Sequence, residues 1–320
     1  MATAEQIKSL IRSHLSEDDE RFNTLALQVA AHEARQGHTA LAHDIRGIID
    51  KGRKEQRQNA LLKFPKELAG LVLTETAYVP ISTLVIPSTL QERIKRIVHE
   101  YRQQEKLQKH GLSNRRKILL SGPPGTGKTL TARVLSTEVR LPLHTIQVDK
   151  LVTKFMGETS AKLRQIFDLI SEEPGVYLFD EFDAIGSERS LENDVGEMRR
   201  VLNALLQFIE QDNSDSLIIG ATNNPCMLDR ALFRRFDDVL HYELPDEESR
   251  RLLIANVLGT FKGRLGWKQI LEESESLSHA EIDHACRDTI KETILADKQK
   301  VKTETLAKML RERQLTHDRR

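Results

Sequence analysis

Ser121-Gly122-Pro123-Pro124-Gly125-Thr126-Gly127-Lys128-Thr129 follows directly on the apolar run Ile118-Leu119-Leu120, so a strand feeds a glycine-rich turn that opens a helix. Residues without a Cβ let the backbone curl tightly and aim successive amide hydrogens at an anion on the helix's positive end. Gly122, Gly125 and Gly127 supply that freedom. Lys128 then reaches the outer phosphates, Thr129 is a candidate Mg2+ ligand, and Pro123, Pro124, Thr126 and Leu130 complete the candidate nucleotide-contacting stretch. Gly-x-x-x-x-Gly-Lys-Thr can arise by chance in a loop. Here the strand before it and the helix predicted over 128–139 provide the context that a phosphate cradle needs.

The second half of the site is read in Gly175-Val176-Tyr177-Leu178-Phe179-Asp180-Glu181-Phe182-Asp183. Four apolar residues followed by acids describe a buried parallel strand whose carboxyl end emerges where α/β sheets bind ligands. Asp180 is the candidate Mg2+ partner, because a hard cation takes oxygen ligands. Glu181 is the candidate group to orient and deprotonate an attacking water. Asp183 reads better as a solvated turn. A third apolar strand ends in Gly220-Ala221-Thr222-Asn223-Asn224-Pro225, and Asn223 there is a candidate for holding the water or the terminal phosphate. Taken alone, Asn-Asn-Pro is an ordinary turn. Leu228-Asp229-Arg230-Ala231-Leu232-Phe233-Arg234-Arg235-Phe236 follows shortly after.

On these four motifs, in this order and spacing, the chain resembles an AAA+ ATPase of the AAA branch over residues 84–296. Many relatives carry Arg-Pro-Gly-Arg-Phe-Asp where this chain has Arg234-Arg235-Phe236-Asp237. The adjacent arginines, and Glu243-Leu244-Pro245-Asp246 after them, are more similar to the spastin, katanin and vacuolar-sorting branch. The resemblance implies ATP and Mg2+ as cofactors and a nucleotide lying at a subunit boundary, where Arg234 or Arg235 serves the neighbouring protomer's γ-phosphate. It also implies a homo-oligomer, expected to be a hexamer. Lys154-Phe155-Met156-Gly157 resembles the family's pore loop, an aromatic and aliphatic pair that grips an extended polypeptide by non-directional contact. On composition alone, a Phe-Met pair would read as core.

The fold expected is α/β, a P-loop parallel sheet covered by helices on both faces, with strands near 117–121, 144–149, 176–180, 216–222 and 239–242. Residues 84–245 form this body. Before it, residues 1–62 read as a small helical module, a candidate surface for a protein substrate or adaptor. Residues 63–83, punctuated by Pro65 and Pro80, read as a linker with short extended pieces. Residues 246–320 read as a helical lid and a charged tail. In the family a Gly-Ala pair near the adenine opens the long lid helix, whereas His279-Ala280 stands here. His279 reads as a helix-start residue.

Composition limits the function classes. Forty-eight basic and 48 acidic residues leave no net charge to gather nucleic acid, which disfavours a DNA-acting loader. Arg115-Arg116-Lys117 reads as a solvated approach to the strand. The two cysteines, Cys226 and Cys286, form no metal or disulfide framework. No apolar stretch approaches the ~20 residues of a membrane span, and a cytoplasmic location is expected. His32-Glu33 and His99-Glu100 each begin like a zinc-protease motif but lack the second histidine, so any proteolysis is expected from a partner chain. Two readings of function stand: a ring motor that remodels proteins by threading, or an ATP-controlled switch or scaffold that regulates a partner enzyme such as a protease.

Overall fold

A computed structural model describes residues 26, 30, 47, 68, 70–76, 78–148, 150–151, 158–182, 194–225 and 233–317, with the side chains of 194–200 and 316–317 left out. The chain divides into two compact units, residues 1–63 and 64–320. In the first, Ala26 and Ala30 are helical and buried, one helical turn apart and hence on one face. The expected N-terminal helices, the Lys154-Phe155-Met156-Gly157 loop and Cys226 lie outside the described residues.

The second unit is built on a six-stranded sheet. Its strands are β1 (Val72–Glu75), β2 (Lys117–Ser121), β3 (Leu143–Gln147), β4 (Val176–Asp180), β5 (Leu217–Thr222) and β6 (Asp238–His241), in the spatial order β1-β3-β4-β5-β2-β6. All neighbours are parallel except β1, which runs antiparallel on the β3 edge with Val72 opposite Ile146. The five expected strands are present within two residues of their expected ends. The sixth comes from the stretch read as linker. Leu68 and Leu71, just before β1, and Val72 within it are buried in the same apolar cluster as Ile146.

Strand side chains alternate between two apolar faces, as a sheet covered on both sides requires. Ile118, Leu120, Val176, Leu178, Leu217 and Ile219 meet α1 (Ser88–Arg102) on one face, through Leu90, Ile94 and Ile97. The same face packs Ala132, Val134 and Leu135 of the helix that follows β2, α3 (Lys128–Val139), α2 being the short helix Gln104–Gln108. Leu119, Tyr177, Phe179 and Ile218 meet α4 (Thr159–Glu172) and α5 (Asp194–Gln211) on the other.

A separate apolar core holds the C-terminal helices α6 (Glu247–Leu258), α7 (Trp267–Glu272), α8 (His279–Leu295) and α9 (Thr303–His317). The segment read as a charged tail is thus largely α9, whose Leu306, Met309 and Leu310 are buried against Ile254, Leu258 and Ile282. Three apolar side chains at i, i+3 and i+4 are enough to dock it.

The basic run before β2 is ion-paired. Arg116 pairs with Asp212, whose side chain is 1% exposed, and Arg115 pairs with Glu100. Asp237 accepts from the backbone N–H groups of Arg116 and Lys117, both at 2.9 Å, tying β6 to β2 at their N-terminal ends. The solvated reading of this run is therefore corrected: the arginines anchor α1, α5 and β6 to the same sheet edge.

His144, on β3, is fully buried with Nδ1 3.0 Å from Thr74 Oγ1 on β1, and its ring lies 4.7 Å from that of Tyr177. Burial pushes its pKa down from 6.5 to about 4. The unfolded chain therefore takes up this proton before the folded one does, and stability that is intact above pH 6.5 is lost as the pH falls toward 4. Two to three pKa units correspond to roughly 3 kcal/mol at the acid end of that window. Urea midpoints measured at pH 7, 5 and 4 are expected to fall more steeply for the wild type than for His144→Gln, and equal slopes would show that His144 does not set the loss.

Candidate functional site

β2, β5 and β4 lie side by side and all end at the same edge of the sheet, and each delivers one part of the site at or just past its last residue. β2 runs into the glycine-rich turn, β4 into Asp180-Glu181, and β5 into Asn223. Chain connections leave β2 toward β3 on one side, while β6 flanks it on the other, so the turn sits at a switch point of strand order.

Gly122 and Gly127 have φ of 151° and 100°, and a Cβ on Gly122 would stand 2.2 Å from the Tyr242 carbonyl oxygen. Only glycine fits where the turn leaves β2. The first amide of the turn, Gly122 N–H, donates to Thr222 O at 3.3 Å, and the Thr126 hydroxyl donates to Pro123 O at 2.8 Å. Gly127 then stands in the left-handed region as the residue before α3. The first helical amides of α3 thus open onto the turn without intrahelical acceptors, the arrangement that receives an anion.

Lys128 is buried, at 7% exposure, and its ammonium donates to the Gly122 and Pro123 carbonyls, each at 2.7 Å. These bonds hold the side chain folded over the turn from which it would meet phosphate. The Thr129 hydroxyl donates to Asp180 Oδ2 at 3.1 Å, joining β4 to the cradle. A hydroxyl and a carboxylate in contact are the oxygen donors a small hard cation takes, so Thr129 and Asp180 fit Mg2+. Asp180 Oδ1 also accepts from the Glu181 N–H at 2.9 Å. Glu181 is exposed and has φ of 53°. A non-glycine residue held there costs on the order of 1 kcal/mol, a conformation typical of residues positioned for chemistry. Asn223, one residue past β5, is also exposed.

Arg234 and Arg235 lie elsewhere. They come just before Asp237, at the N-terminal edge of β2 and β6, while the cradle is at the C-terminal edge. Arg234 is exposed, and Arg235 pairs with Glu210 in the last turn of α5. Sequence reading named both arginines but not Glu210. An acid near a helix end carries no signal of a partner that only the packing of α5 against the sheet brings near.

The lid begins against the cradle. The Ser278 side chain and Glu281 form a reciprocal cap at the start of α8, and the Ala280 N–H donates to Gly125 O at 3.0 Å. A Cβ on Gly125 would come within 2.6 Å of Ser278 Oγ.

The family described as "ATPase family associated with various cellular activities (AAA)" matches residues 118–244, which run from β2 through β6. The chain is similar, at 31% identity over 316 residues, to an uncharacterized AAA family ATPase, y4kL, of Sinorhizobium fredii, covering 94% of this chain and 92% of that one. A Methanothermobacter thermautotrophicus protein named for homology to a 26S proteasome regulatory subunit is 31% identical over 207 residues, 63% of this chain. The match spans 56% of that relative's length. Among solved structures, the FIGL-1 AAA domain superposes with a TM-score of 0.63 at 22% identity, over 79% of this chain and 90% of that one, a likeness of fold.

Proposed function

Because the chain belongs to the AAA family of ATPases, we propose that it is a ring-forming motor that spends ATP to remodel, unfold or disassemble a protein substrate by threading it through a central pore. It binds and hydrolyses ATP. The amides of the turn and Lys128 hold the phosphates, and Thr129 and Asp180 hold the Mg2+ that neutralises charge on the outer phosphates. Glu181 takes the proton of the attacking water, and Asn223 steadies that water from the neighbouring strand.

The opposite placement of arginines and cradle supports the ring. β2 and β6 run between them, about 15 Å of strand, farther than an arginine side chain reaches. A chain cannot use these arginines on its own nucleotide, but a neighbour stacked edge to edge can. Such a head-to-tail contact is heterologous and closes into a ring or winds into a spiral, for which we propose six subunits. Lys154, Phe155, Met156 and Gly157, outside the described residues, would line the channel, and the N-terminal unit would choose the substrate or adaptor. A separate protease would be a partner in trans. Among the described residues no helix is long and apolar enough to cross a membrane, and we place the motor in the cytoplasm.

Turnover per subunit measured across protein concentration tests the shared site. It is expected to collapse on dilution below the assembly threshold, and a constant value would reject it. Phe155→Ala tests threading: ATP turnover is expected to persist while remodelling of proteins captured by the full chain is lost. If remodelling survived, a nucleotide-dependent scaffold would be the better account.

A further inference from the structure

Tyr242 stands one residue past β6, is 4% exposed, and reaches both ends of the phosphate cradle. At the entry its backbone N–H donates to Ser121 O at 2.7 Å, and its carbonyl lies so close to Gly122 that a Cβ there would stand 2.2 Å from the oxygen. At the exit its phenol O–H donates to Thr131 Oγ1 at 2.7 Å. Thr131, fully buried in the first turn of α3, passes the bond on: its hydroxyl donates to Gly127 O at 3.1 Å, and its N–H donates to the same oxygen at 2.9 Å. One residue thus spans the turn.

What these bonds fix is the direction of an amide. Across a trans peptide the carbonyl of one residue and the N–H of the next point opposite ways, so holding Gly127 O toward Thr131 turns the Lys128 N–H into the turn, where a phosphate would sit. Gly127 has φ of 100°, and with no Cβ it leaves that conformation easily. The last peptide of the cradle therefore needs a hold from outside it. We propose that Tyr242 is a positioning residue for nucleotide binding: its hydroxyl, acting through Thr131, keeps the Gly127–Lys128 amide aimed at phosphate before a ligand arrives. The proposal rests on the ATPase reading above.

Packing alone does not call for this hydroxyl. The Tyr242 ring sits in the apolar cluster with Ala132 and Leu135 of α3, and a phenylalanine would fill the same space. Burial raises the pKa of the phenol, so it remains an O–H donor. The Thr131 hydroxyl has one proton and gives it to Gly127 O, which leaves its oxygen to accept from Tyr242; bonds in such a chain polarise and strengthen one another. Without the first bond the Thr131 hydroxyl is freer to turn, and Gly127 samples other conformations. A ligand that requires one of them then binds more weakly, in proportion to the fraction of chains that hold it.

Displacement of methylanthraniloyl-ADP from the full chain by unlabelled ATP and ADP, with Mg2+, provides the test. Tyr242→Phe is expected to weaken both nucleotides by about threefold to tenfold, the scale of one neutral hydrogen bond, with the loss in turnover falling on KM more than on kcat. Thr131→Val is expected to match it, while Thr131→Ser, which keeps the hydroxyl, stays within about twofold of the wild type. Because the two hydroxyls act in series, Tyr242→Phe added to Thr131→Val should weaken binding no further. Wild-type affinity in Tyr242→Phe, whatever its melting temperature, would overturn the proposal and make Tyr242 a packing residue, as would losses that add in the double variant. Should Tyr242→Phe fail to fold, equal weakening by Thr131→Val and Thr131→Ser would overturn it by itself. If the wild type bound no nucleotide, the ATPase reading would fall along with this one.

Discussion

Arg234→Ala and Arg235→Ala are expected to leave ATP binding unchanged while at least one of them lowers turnover by ~10³-fold or more, the contribution of an arginine supplied to a phosphoryl-transfer site by a neighbour. The expectation follows from charge. Negative charge builds on the transferred phosphoryl group in the transition state, and a guanidinium delivered there stabilises it more than the ground state. Arg235 is held by Glu210 and Arg234 is exposed, so the two variants also separate a pre-aimed arginine from a free-reaching one. Mixing supplies the sharper measurement. Subunits with Arg235→Ala keep a working cradle, and subunits with Glu181→Gln keep working arginines. Wherever the two meet in the right order, one complete site forms, so the mixture should turn over faster than the average of its parts. If both arginine variants kept full turnover, or mixing restored nothing, the arginines would not act across a boundary.

Glu181→Gln is expected to lower kcat by ~10² to 10⁴-fold with ATP affinity preserved, since an amide cannot take the proton that a positioned carboxylate takes. Asp180, one residue earlier, is bonded to Thr129, so in the proposed mechanism the two acids divide the work by their place on the strand. Glu181 lies past the end of β4, exposed and at positive φ. Retained ATP should hold the assembled form together, which size-exclusion chromatography with ATP would read directly, and proteins carried with it are substrate candidates. Rapid hydrolysis by this variant would move the base to another residue.

The cradle was legible because its chemistry is local. Three glycines, a lysine and a threonine within nine residues specify a turn whose shape depends little on what packs around it, and the strand before it announces itself by an unbroken apolar run. The strand that ends in the acidic pair Asp180-Glu181 was readable for the same reason. β1 was not. Four residues at a sheet edge have too short a pattern to count, and their stability comes from pairing with β3, 70 residues on, where Thr74 meets His144. For α9 the sequence allowed a charged helix, and what it hid was the docking, because the charges outnumber the few apolar residues that seat it. His279 looked like a helix start, and it is one.

By itself the sequence determined that this chain folds around a phosphate cradle on a doubly covered sheet, because glycine placement and strand hydrophobicity act over neighbouring residues and need no distant partner. Only the tertiary structure decided that the arginines and the cradle occupy opposite edges of that sheet, since strand direction and pairing order, rather than distance along the chain, set which groups can meet. The same holds for the lid: α8 reaches Gly125 through a backbone hydrogen bond that spans more than 150 residues of chain, and no local pattern encodes such a contact.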